Sequence, residues 1–295
     1  MEIVVASGKG GTGKTFVASN LCVYLKRDLS EEVVAVDADV EAPDLLMALG
    51  GSTREVAREE FYGSYMPAID MSICFNCGRC AEVCEFDAIH MAPEGPVVDY
   101  SKCEGLGTCA VVCSVKAITL IEDKTGDIYA SETPFGITVV TGDLELGKGN
   151  SGRLVYELKE RAYRIASERG VEFRVVDAAP GIGCPVVSSI AGSDILITVV
   201  EPTPQSLKGS LRLLEVAETL GIKTVAIINK YNLNPGFTAE VEKKLGVEVL
   251  GYVPYDDAVV EAYTSAVPLL EYSPGSKASE ALVKCFDRFR EGWFR

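Results

Sequence analysis

Two patterns of hydrophobic and polar positions alternate along this chain. Short runs rich in β-branched residues, typical of buried parallel strands, occur at 3–7, 33–36, 136–140, 173–177, 195–200, 224–228 and 249–253. Longer segments with an apolar residue every three or four positions, typical of helices, occur at 16–26, 151–170, 205–220 and 277–293, and a short helix is predicted at 43–47. The alternation predicts an α/β fold with a doubly wound, mostly parallel sheet.

A glycine-rich loop with the P-loop spacing G-x-x-x-x-G-K-S/T joins the first predicted strand to the first helix. Its residues are Gly8, Lys9, Gly10, Gly11, Thr12, Gly13, Lys14 and Thr15. Such a loop points successive N–H groups into one concavity at a helix N-terminus, which favours an anion. We expect Lys14 to bridge the β- and γ-phosphates of ATP and Thr15 to hold Mg²⁺. A turn that merely starts a helix is the alternative, but the strand, spacing, lysine and threonine together favour nucleotide binding.

The ten cysteines are unevenly distributed, and seven lie between Cys74 and Cys113. No secretion signal is visible, so we expect a cytoplasmic protein whose clustered cysteines bind metal rather than form disulfides. The first four follow the ferredoxin spacing C-x₂-C-x₂-C-x₃-C of iron–sulfur proteins. Zinc is the alternative, but zinc sites favour separated C-x₂-C pairs.

The cysteine-rich segment is an internal repeat with an offset of 29 residues. The repeat is broken at one ligand position, where Leu106 stands in place of an image of Cys77. In crossed ligation each cluster takes three ligands from one motif and the last from the other. The first site, a [4Fe–4S] cluster, is then complete with Cys74, Cys77, Cys80 and Cys113. The second has only Cys84, Cys103 and Cys109.

Three thiolates fit a [3Fe–4S] cluster, or a [4Fe–4S] cluster with one iron open to solvent or an exogenous ligand. Glu104 offers a carboxylate, although nothing in the sequence places it at this site. We place the ferredoxin-like α+β module at 66–125, inserted into a nucleotide domain formed by 1–65 and 126–295. An insert of this kind is tolerated because the two ends of a domain often lie close together. The only histidine, His90, lies inside the insert, and we predict that it is a surface residue.

The charge balance limits the class of partner. The net charge of −15 argues against nucleic acid or an anionic membrane as the main partner, since both require a basic surface. The insert carries nine acidic and four basic residues, which favours basic electron-transfer partners. No apolar run is long enough to span a membrane. The last predicted helix, 277–293, is amphipathic with mixed charges, so we expect it to pack on the core rather than on a membrane.

Two more places in the chain are informative. One is Lys9, an additional lysine early in the loop, and the other is Asp37-Ala38-Asp39 after the second strand. At both places the chain resembles the MinD/Mrp-type ATPases. These ATPases belong to the deviant P-loop (SIMIBI) class, which includes the more distant nitrogenase iron protein. The resemblance implies a homodimer with ATP between the subunits, in which Lys9 reaches the partner's nucleotide. It also implies that Asp37 contributes to Mg²⁺ binding and Asp39 orients the attacking water. The alternative is that both acids only cap the next helix.

Further residues match this family by position. Asp177, at the end of a strand, fits the Mg²⁺-holding Walker-B role, and Gly181 is expected to sense the γ-phosphate through its N–H. Cys184 matches the spacing of a cluster ligand in the second switch of the nitrogenase iron protein, and a small core thiol is the alternative. Adenine contacts are implied for Asn229, Pro254, Tyr255 and Asp256.

These features predict an ATPase whose nucleotide state is coupled to electron transfer or to delivery of an iron–sulfur cluster to a redox or apo iron–sulfur protein. A second hypothesis is a positioning ATPase like MinD or ParA, with structural clusters and partner binding as its output. A third is an electron carrier with a vestigial P-loop, which the intact Lys14, Asp39 and Asp177 disfavour. The incomplete second site counts against purely structural clusters.

Overall fold

The structure is a computed structural model that describes residues 1–294. Its strands are β1 (Glu2–Ser7), β2 (Val33–Ala38), β3 (Arg54–Phe61), β4 (Ser64–Ile69), β5 (Ile89–Ala92), β6 (Gly95–Val98), β7 (Ile118–Asp123), β8 (Gly126–Glu132), β9 (Thr138–Leu144), β10 (Phe173–Pro180), β11 (Ile195–Val200), β12 (Lys223–Asn229) and β13 (Glu248–Val253). Its α-helices are α1 (Lys14–Asp28), α2 (Leu45–Ala48), α3 (Arg79–Glu82), α4 (Thr108–Val111), α5 (Ser151–Arg169), α6 (Cys184–Ile190), α7 (Pro204–Thr219), α8 (Pro235–Leu245), α9 (Asp257–Thr264), α10 (Leu269–Tyr272) and α11 (Lys277–Trp293).

The β-branched runs form the centre of a nine-stranded sheet with the order β13-β12-β11-β1-β10-β2-β9-β8-β3. In this order, every pair of neighbouring strands from β13 through β1 to β9 is parallel. Strands β1, β2 and β11 are buried throughout, because helices cover both faces of such a sheet. The predicted α/β class and mostly parallel sheet are confirmed.

The sheet extends further than the apolar pattern predicts. Strand β3, with the sequence REVAREEF, is exposed along almost all of its length, so it has no buried face to produce a hydrophobic signal. Charged residues on such an edge strand discourage pairing with other chains. The sheet therefore gains a strand before the cysteine-rich segment that the sequence analysis did not predict.

The chain divides into two compact units. The first consists of Met1–Glu59, Ile128–Leu144 and Ser151–Arg295, and the second of Glu60–Asp127 and Glu145–Asn150. The predicted insert at 66–125 lies within the second unit, which begins six residues earlier and also takes in Glu145–Asn150.

The second unit has approximate internal twofold symmetry that follows the 29-residue repeat. Strand β4 pairs with β7, and β5 pairs with β6, both antiparallel. The short helices α3 and α4 begin after Gly78 and Gly107, whose φ angles of 77° and 73° are alike. Two backbone hydrogen bonds are exchanged across the repeat, from Asp70 N–H to the Ala117 carbonyl and from Asp99 N–H to the Ala88 carbonyl, both 2.7 Å long.

Helix α11 packs its apolar face into the core of the first unit. Leu282, Phe286 and Phe289 are fully buried, and the ring of Phe286 lies 5.3 Å from that of Tyr24 in α1. The predicted packing role of this helix is confirmed. Among residues 1–294, no helix combines the length and the apolar character that a membrane span requires.

Candidate functional site

The glycine-rich loop connects β1 to α1 in a conformation that requires its glycines. Gly11 and Gly13 have φ angles of +79° and +96°, a region that favours glycine. A Cβ at Gly13 would also lie only 2.4 Å from Nδ2 of Asn229. That amide donates a 2.8 Å hydrogen bond to the Thr12 carbonyl, so the end of β12 holds the loop in place.

Lys14, the first residue of α1, is nearly buried and forms a 2.9 Å ion pair with Asp39, just beyond β2. Burial by itself lowers the pKa of Lys14, but the carboxylates of Asp177 and Asp39 outweigh it, so the pKa lies above its usual value. The lysine is therefore a fixed positive charge at the helix N-terminus.

Two acids contact the hydroxyl of Thr15, and a third, Asp37, stands opposite one of them. The hydroxyl contacts Asp177 Oδ2 at 2.6 Å and Asp44 Oδ1 at 3.0 Å. Asp37 and Asp177 stand opposite each other in the parallel pairing of β2 with β10. One oxygen of Asp37 accepts the Leu45 N–H at 2.8 Å.

The second carboxylate oxygens of Asp37 and Asp177 have a different environment. Within the described chain, Oδ1 of Asp37 and Oδ1 of Asp177 are buried without a hydrogen-bond partner. Burial raises the pKa of Asp37 well above its usual range and that of Asp177 to about 7. Buried carboxylate oxygens next to a threonine hydroxyl are hard donors of the kind that Mg²⁺ takes, usually with water and phosphate completing its coordination. The predicted Mg²⁺ residues are thus brought together and fit the ion.

A cavity of about 550 Å³ opens beside the loop. One wall consists of Gly10, Gly11, Gly13, Lys14 and Thr15, and another carries Asp39 and Asp44. A third wall is largely apolar and is formed by α9 and the chain that follows it, including Val259, Tyr263 and Leu269. A cavity that combines polar and apolar walls suits a nucleotide.

The residues implied for adenine do not line this cavity. Asn229 is turned towards Thr12, as described above. Asp256 accepts backbone N–H groups of Ala258 and Ala278 and so caps α9, while Pro254 and Tyr255 lie just before that cap. Gly181 has a left-handed conformation, with φ +97°, and its N–H donates to the Ser7 carbonyl at 2.9 Å. A role for these residues in nucleotide contact stays a prediction.

Lys9 is paired within its own chain. Its Nζ lies 2.6 Å from Glu201, just after β11. No motif in the sequence predicts a functional role for Glu201, Asp44 or Tyr263, and the hydroxyl of Tyr263 approaches Asp44 at 3.4 Å. For Glu201 a signal existed, since ligands and functional side chains gather where parallel strands end.

The predicted ligands of the first cluster meet in the second unit. Cys74, Cys77, Cys80 and Cys113 line one cavity. Cys113 belongs to the second motif, so the structure brings together the set that crossed ligation requires.

The second set meets in the same way. Cys84, Cys103 and Cys109 line another cavity, together with Leu106 and Glu104. Leu106 is 67% exposed, so the ligand position that lacks a thiolate faces solvent.

The two cysteine cavities share their local architecture. Cys84 Sγ accepts the Ala88 N–H at 3.3 Å, and Cys113 Sγ accepts the Ala117 N–H at 3.2 Å. Burial raises the pKa of Cys80 and of Cys109, so binding of a metal there would release protons. Such N–H···S bonds stabilise thiolate ligands and tune iron–sulfur clusters.

No three His, Cys, Asp or Glu side chains in residues 1–294 converge closely enough to hold a single metal ion. The preference for iron–sulfur clusters over zinc therefore rests on the cysteine spacing, since zinc sites favour separated C-x₂-C pairs.

Cys184 is exposed at the first residue of α6, so its interpretation as a core thiol is wrong. Its Cβ would lie 3.0 Å from a Cβ at Gly152, where α5 begins. Cys22 and Cys285 are the buried thiols of the first unit, and Cys80 is buried in the second. His90 is exposed, which confirms its prediction as a surface residue.

Relatives of this chain include an uncharacterised protein of Methanocaldococcus jannaschii, 30% identical over 291 residues that cover 99% of this chain and 97% of the relative. An iron-sulfur cluster carrier protein of Pyrococcus furiosus is 22% identical, with coverage of 98% and 87%. The Pyrococcus horikoshii septum site-determining protein MinD, solved with Mg-ADP, has a TM-score of 0.60 at 20% identity, with coverage of 98% and 95%. At this identity the structural match shows the fold alone.

The family model described as the CobQ/CobB/MinD/ParA nucleotide binding domain matches residues 3–269. That range contains the phosphate loop, its acidic partners and the apolar wall of the cavity. The chain therefore belongs to the CobQ/CobB/MinD/ParA nucleotide-binding family of P-loop ATPases.

Proposed function

We propose that this protein hydrolyses ATP as a homodimer and couples its nucleotide state to iron–sulfur chemistry. The proposal rests on the presence of two kinds of site in one chain. Beside the phosphate loop, buried carboxylate oxygens have no hydrogen-bond partner. In the second unit, each of two cavities is lined by cysteines from both motifs.

The residues of the first unit take the following roles. Lys14 and the loop N–H groups hold the phosphates, and Thr15, Asp37 and Asp177 hold Mg²⁺ directly or through water. Asp39 borders the cavity and orients the attacking water, with Lys14 as its counter-ion at 2.9 Å. Lys9 of the second subunit stabilises the charge of the transition state, as an arginine finger does. Mg²⁺, when bound, neutralises the phosphate charge.

The residues of the second unit bind iron–sulfur clusters, which when bound exchange single electrons. Cys74, Cys77, Cys80 and Cys113 hold a [4Fe–4S] cluster, and Cys84, Cys103 and Cys109 hold a three-iron or incompletely ligated cluster. The open position at Leu106 favours a labile or ligand-accessible iron. The relatives named as iron-sulfur cluster carriers, at 22% identity, support cluster delivery as one output, and electron transfer is the other. Cys184 is the exposed candidate for a cluster shared between subunits.

A second candidate is a positioning ATPase with structural clusters, supported by the match to MinD along 98% of the chain. The buried face of α11 counts against a membrane-binding version of this function, because its large apolar side chains are already packed.

Anaerobic reconstitution followed by EPR, with and without MgATP, tests the coupling. We expect the spectrum of at least one cluster to change when nucleotide binds. A Lys14→Ala variant, reconstituted in parallel, should lose the change but keep the clusters. Spectra that stay the same at saturating nucleotide would contradict coupling and favour the positioning ATPase.

A further inference from the structure

Two lysines share one carboxylate beside the phosphate loop. Glu201 Oε1 lies 2.6 Å from Lys9 Nζ, and Oε2 lies 3.4 Å from Lys230 Nζ. Lys230 also donates a 2.7 Å hydrogen bond to the Gly11 carbonyl. The carboxylate is thus connected to the loop twice. Lys9 is part of the loop, and Lys230 donates a hydrogen bond to it.

Glu201 is well placed to remain charged. Its side chain is 11% exposed, and burial alone raises its pKa. The hydrogen bond from Lys9 and the charge of Lys230 outweigh burial, so the pKa lies below its usual value. A carboxylate this buried needs a cationic partner at all times, since an unpaired buried charge is strongly destabilising.

The backbone next to Lys9 is held firmly, whereas its side chain is not. A Cβ at Gly8 would lie 2.0 Å from the carbonyl carbon of Gly209 in α7, so the two backbones are in direct contact. The side chain of Lys9 is 31% exposed. The side chain, rather than the loop, is therefore the part that can exchange partners.

We propose that Glu201 is a latch that holds Lys9 on its own subunit and releases it to the nucleotide of a second copy of this chain. The inference rests on the cross-subunit role of Lys9 in the proposed function. When Lys9 leaves, Lys230 remains as the counter-ion, so the buried carboxylate is never unpaired. The latch therefore opposes dimerisation until a phosphate anion competes for Lys9.

Two variants with opposite expected effects test the latch. Dimerisation is measured by sedimentation of the reconstituted full chain with a non-hydrolysable ATP analogue and Mg²⁺. Glu201→Gln removes the charge that retains Lys9, and we expect the dimer Kd to fall by about tenfold. Lys230→Gln leaves Lys9 as the one counter-ion of Glu201, and we expect the Kd to rise several-fold. A merely structural role of Glu201 predicts weaker dimerisation for both.

Glu201→Asp keeps the charge but shortens the side chain, and it tests the proposal if Glu201→Gln fails to fold. We expect it to lower the dimer Kd by a smaller factor than Glu201→Gln does. The proposal is overturned if the Glu201 variants leave the Kd unchanged or raise it.

Lys9→Gln, measured in the same assay, separates the latch from the proposed function. We expect it to lose nucleotide-dependent dimerisation. If Lys9→Gln dimerises normally, the cross-subunit lysine itself is wrong, and the latch with it. If Lys9→Gln fails to dimerise but the Glu201 variants behave like the wild type, the latch alone is wrong.

Discussion

The Thr15 hydroxyl donates a 2.6 Å hydrogen bond to Asp177 Oδ2, which joins the end of the phosphate loop to strand β10. The other oxygen of Asp177 is buried without a partner. A bound cation would satisfy that oxygen, whereas the nucleotide-free protein bears the cost of the charge.

The nucleotide-free protein should be stabilised by Asp177→Asn in a pH-dependent way. Burial raises the folded-state pKa of Asp177 from 3.8 to about 7. Between these values the unfolded chain has lost the proton that the folded chain keeps, so the wild type loses stability as pH rises from about 4 to about 7. The gain in unfolding free energy of the variant should grow across that window and level off above it.

Denaturant unfolding of both proteins from pH 4 to pH 8 checks this. The difference between the two cancels the titration of distant carboxylates, and it includes the change at Asp37, whose pKa the charge of Asp177 raises. A difference that is constant with pH would contradict the burial argument. Saturating MgATP should reverse the order of stability at neutral pH, because Asp177→Asn removes a proposed cation ligand.

Asp39→Asn should separate binding from hydrolysis. The residue borders the cavity and pairs with Lys14, and its proposed role is to orient water. We expect kcat for ATP hydrolysis to fall roughly a hundredfold to ten-thousandfold, with less than about a tenfold change in nucleotide affinity. Asp143→Asn, an exposed acid in β9, is the control. Equal losses in kcat and affinity would assign Asp39 to binding instead.

Cys113→Ser should impair assembly of the first cluster, although Cys113 belongs to the second motif. It lines the cavity of Cys74, Cys77 and Cys80. We expect the EPR spectrum of reconstituted Cys113→Ser to match that of Cys77→Ser. A spectrum that matched Cys109→Ser instead would show that the ligation is not crossed.

Leu106→Cys should complete the second site. The position lines the cavity of Cys84, Cys103 and Cys109, and its exposure leaves room for a thiolate to bind iron. A three-iron EPR signal in the wild type should be replaced by a second [4Fe–4S] signal, while Leu106→Ser should keep the three-iron signal. Two stable [4Fe–4S] clusters in the unmodified protein, neither of which binds an added ligand, would show that Leu106 is not a gap in ligation.

Phe286→Ala should destabilise the protein by about 3–5 kcal/mol, as expected when a fully buried aromatic ring is removed. Tyr156→Ala, at a site that is 58% exposed, should change the unfolding free energy by less than about 0.5 kcal/mol. Thermal or urea unfolding measures both. A small effect of Phe286→Ala, together with weaker binding to lipid vesicles, would mean that α11 serves a membrane surface.

The sequence by itself determined the features that depend on local spacing. The loop from Gly8 to Thr15, the 29-residue repeat and the bounds of α11 follow from residues close together in the chain. So does the break in the repeat at position 106, where leucine stands in place of cysteine. Local spacing restricts the backbone conformation directly, because turns, helical periodicity and closely spaced ligands involve only residues near one another in the chain.

Only the tertiary structure decided which distant residues meet. Glu201 contacts Lys9 from almost two hundred positions away, and Asn229 turns towards Thr12 rather than into the cavity. The apolar wall beside the loop comes from α9, and β3 joins the sheet without a hydrophobic pattern. These contacts depend on how the strands are ordered and how the helices pack. The residue type of a carboxylate or an amide does not specify which distant group will be its partner.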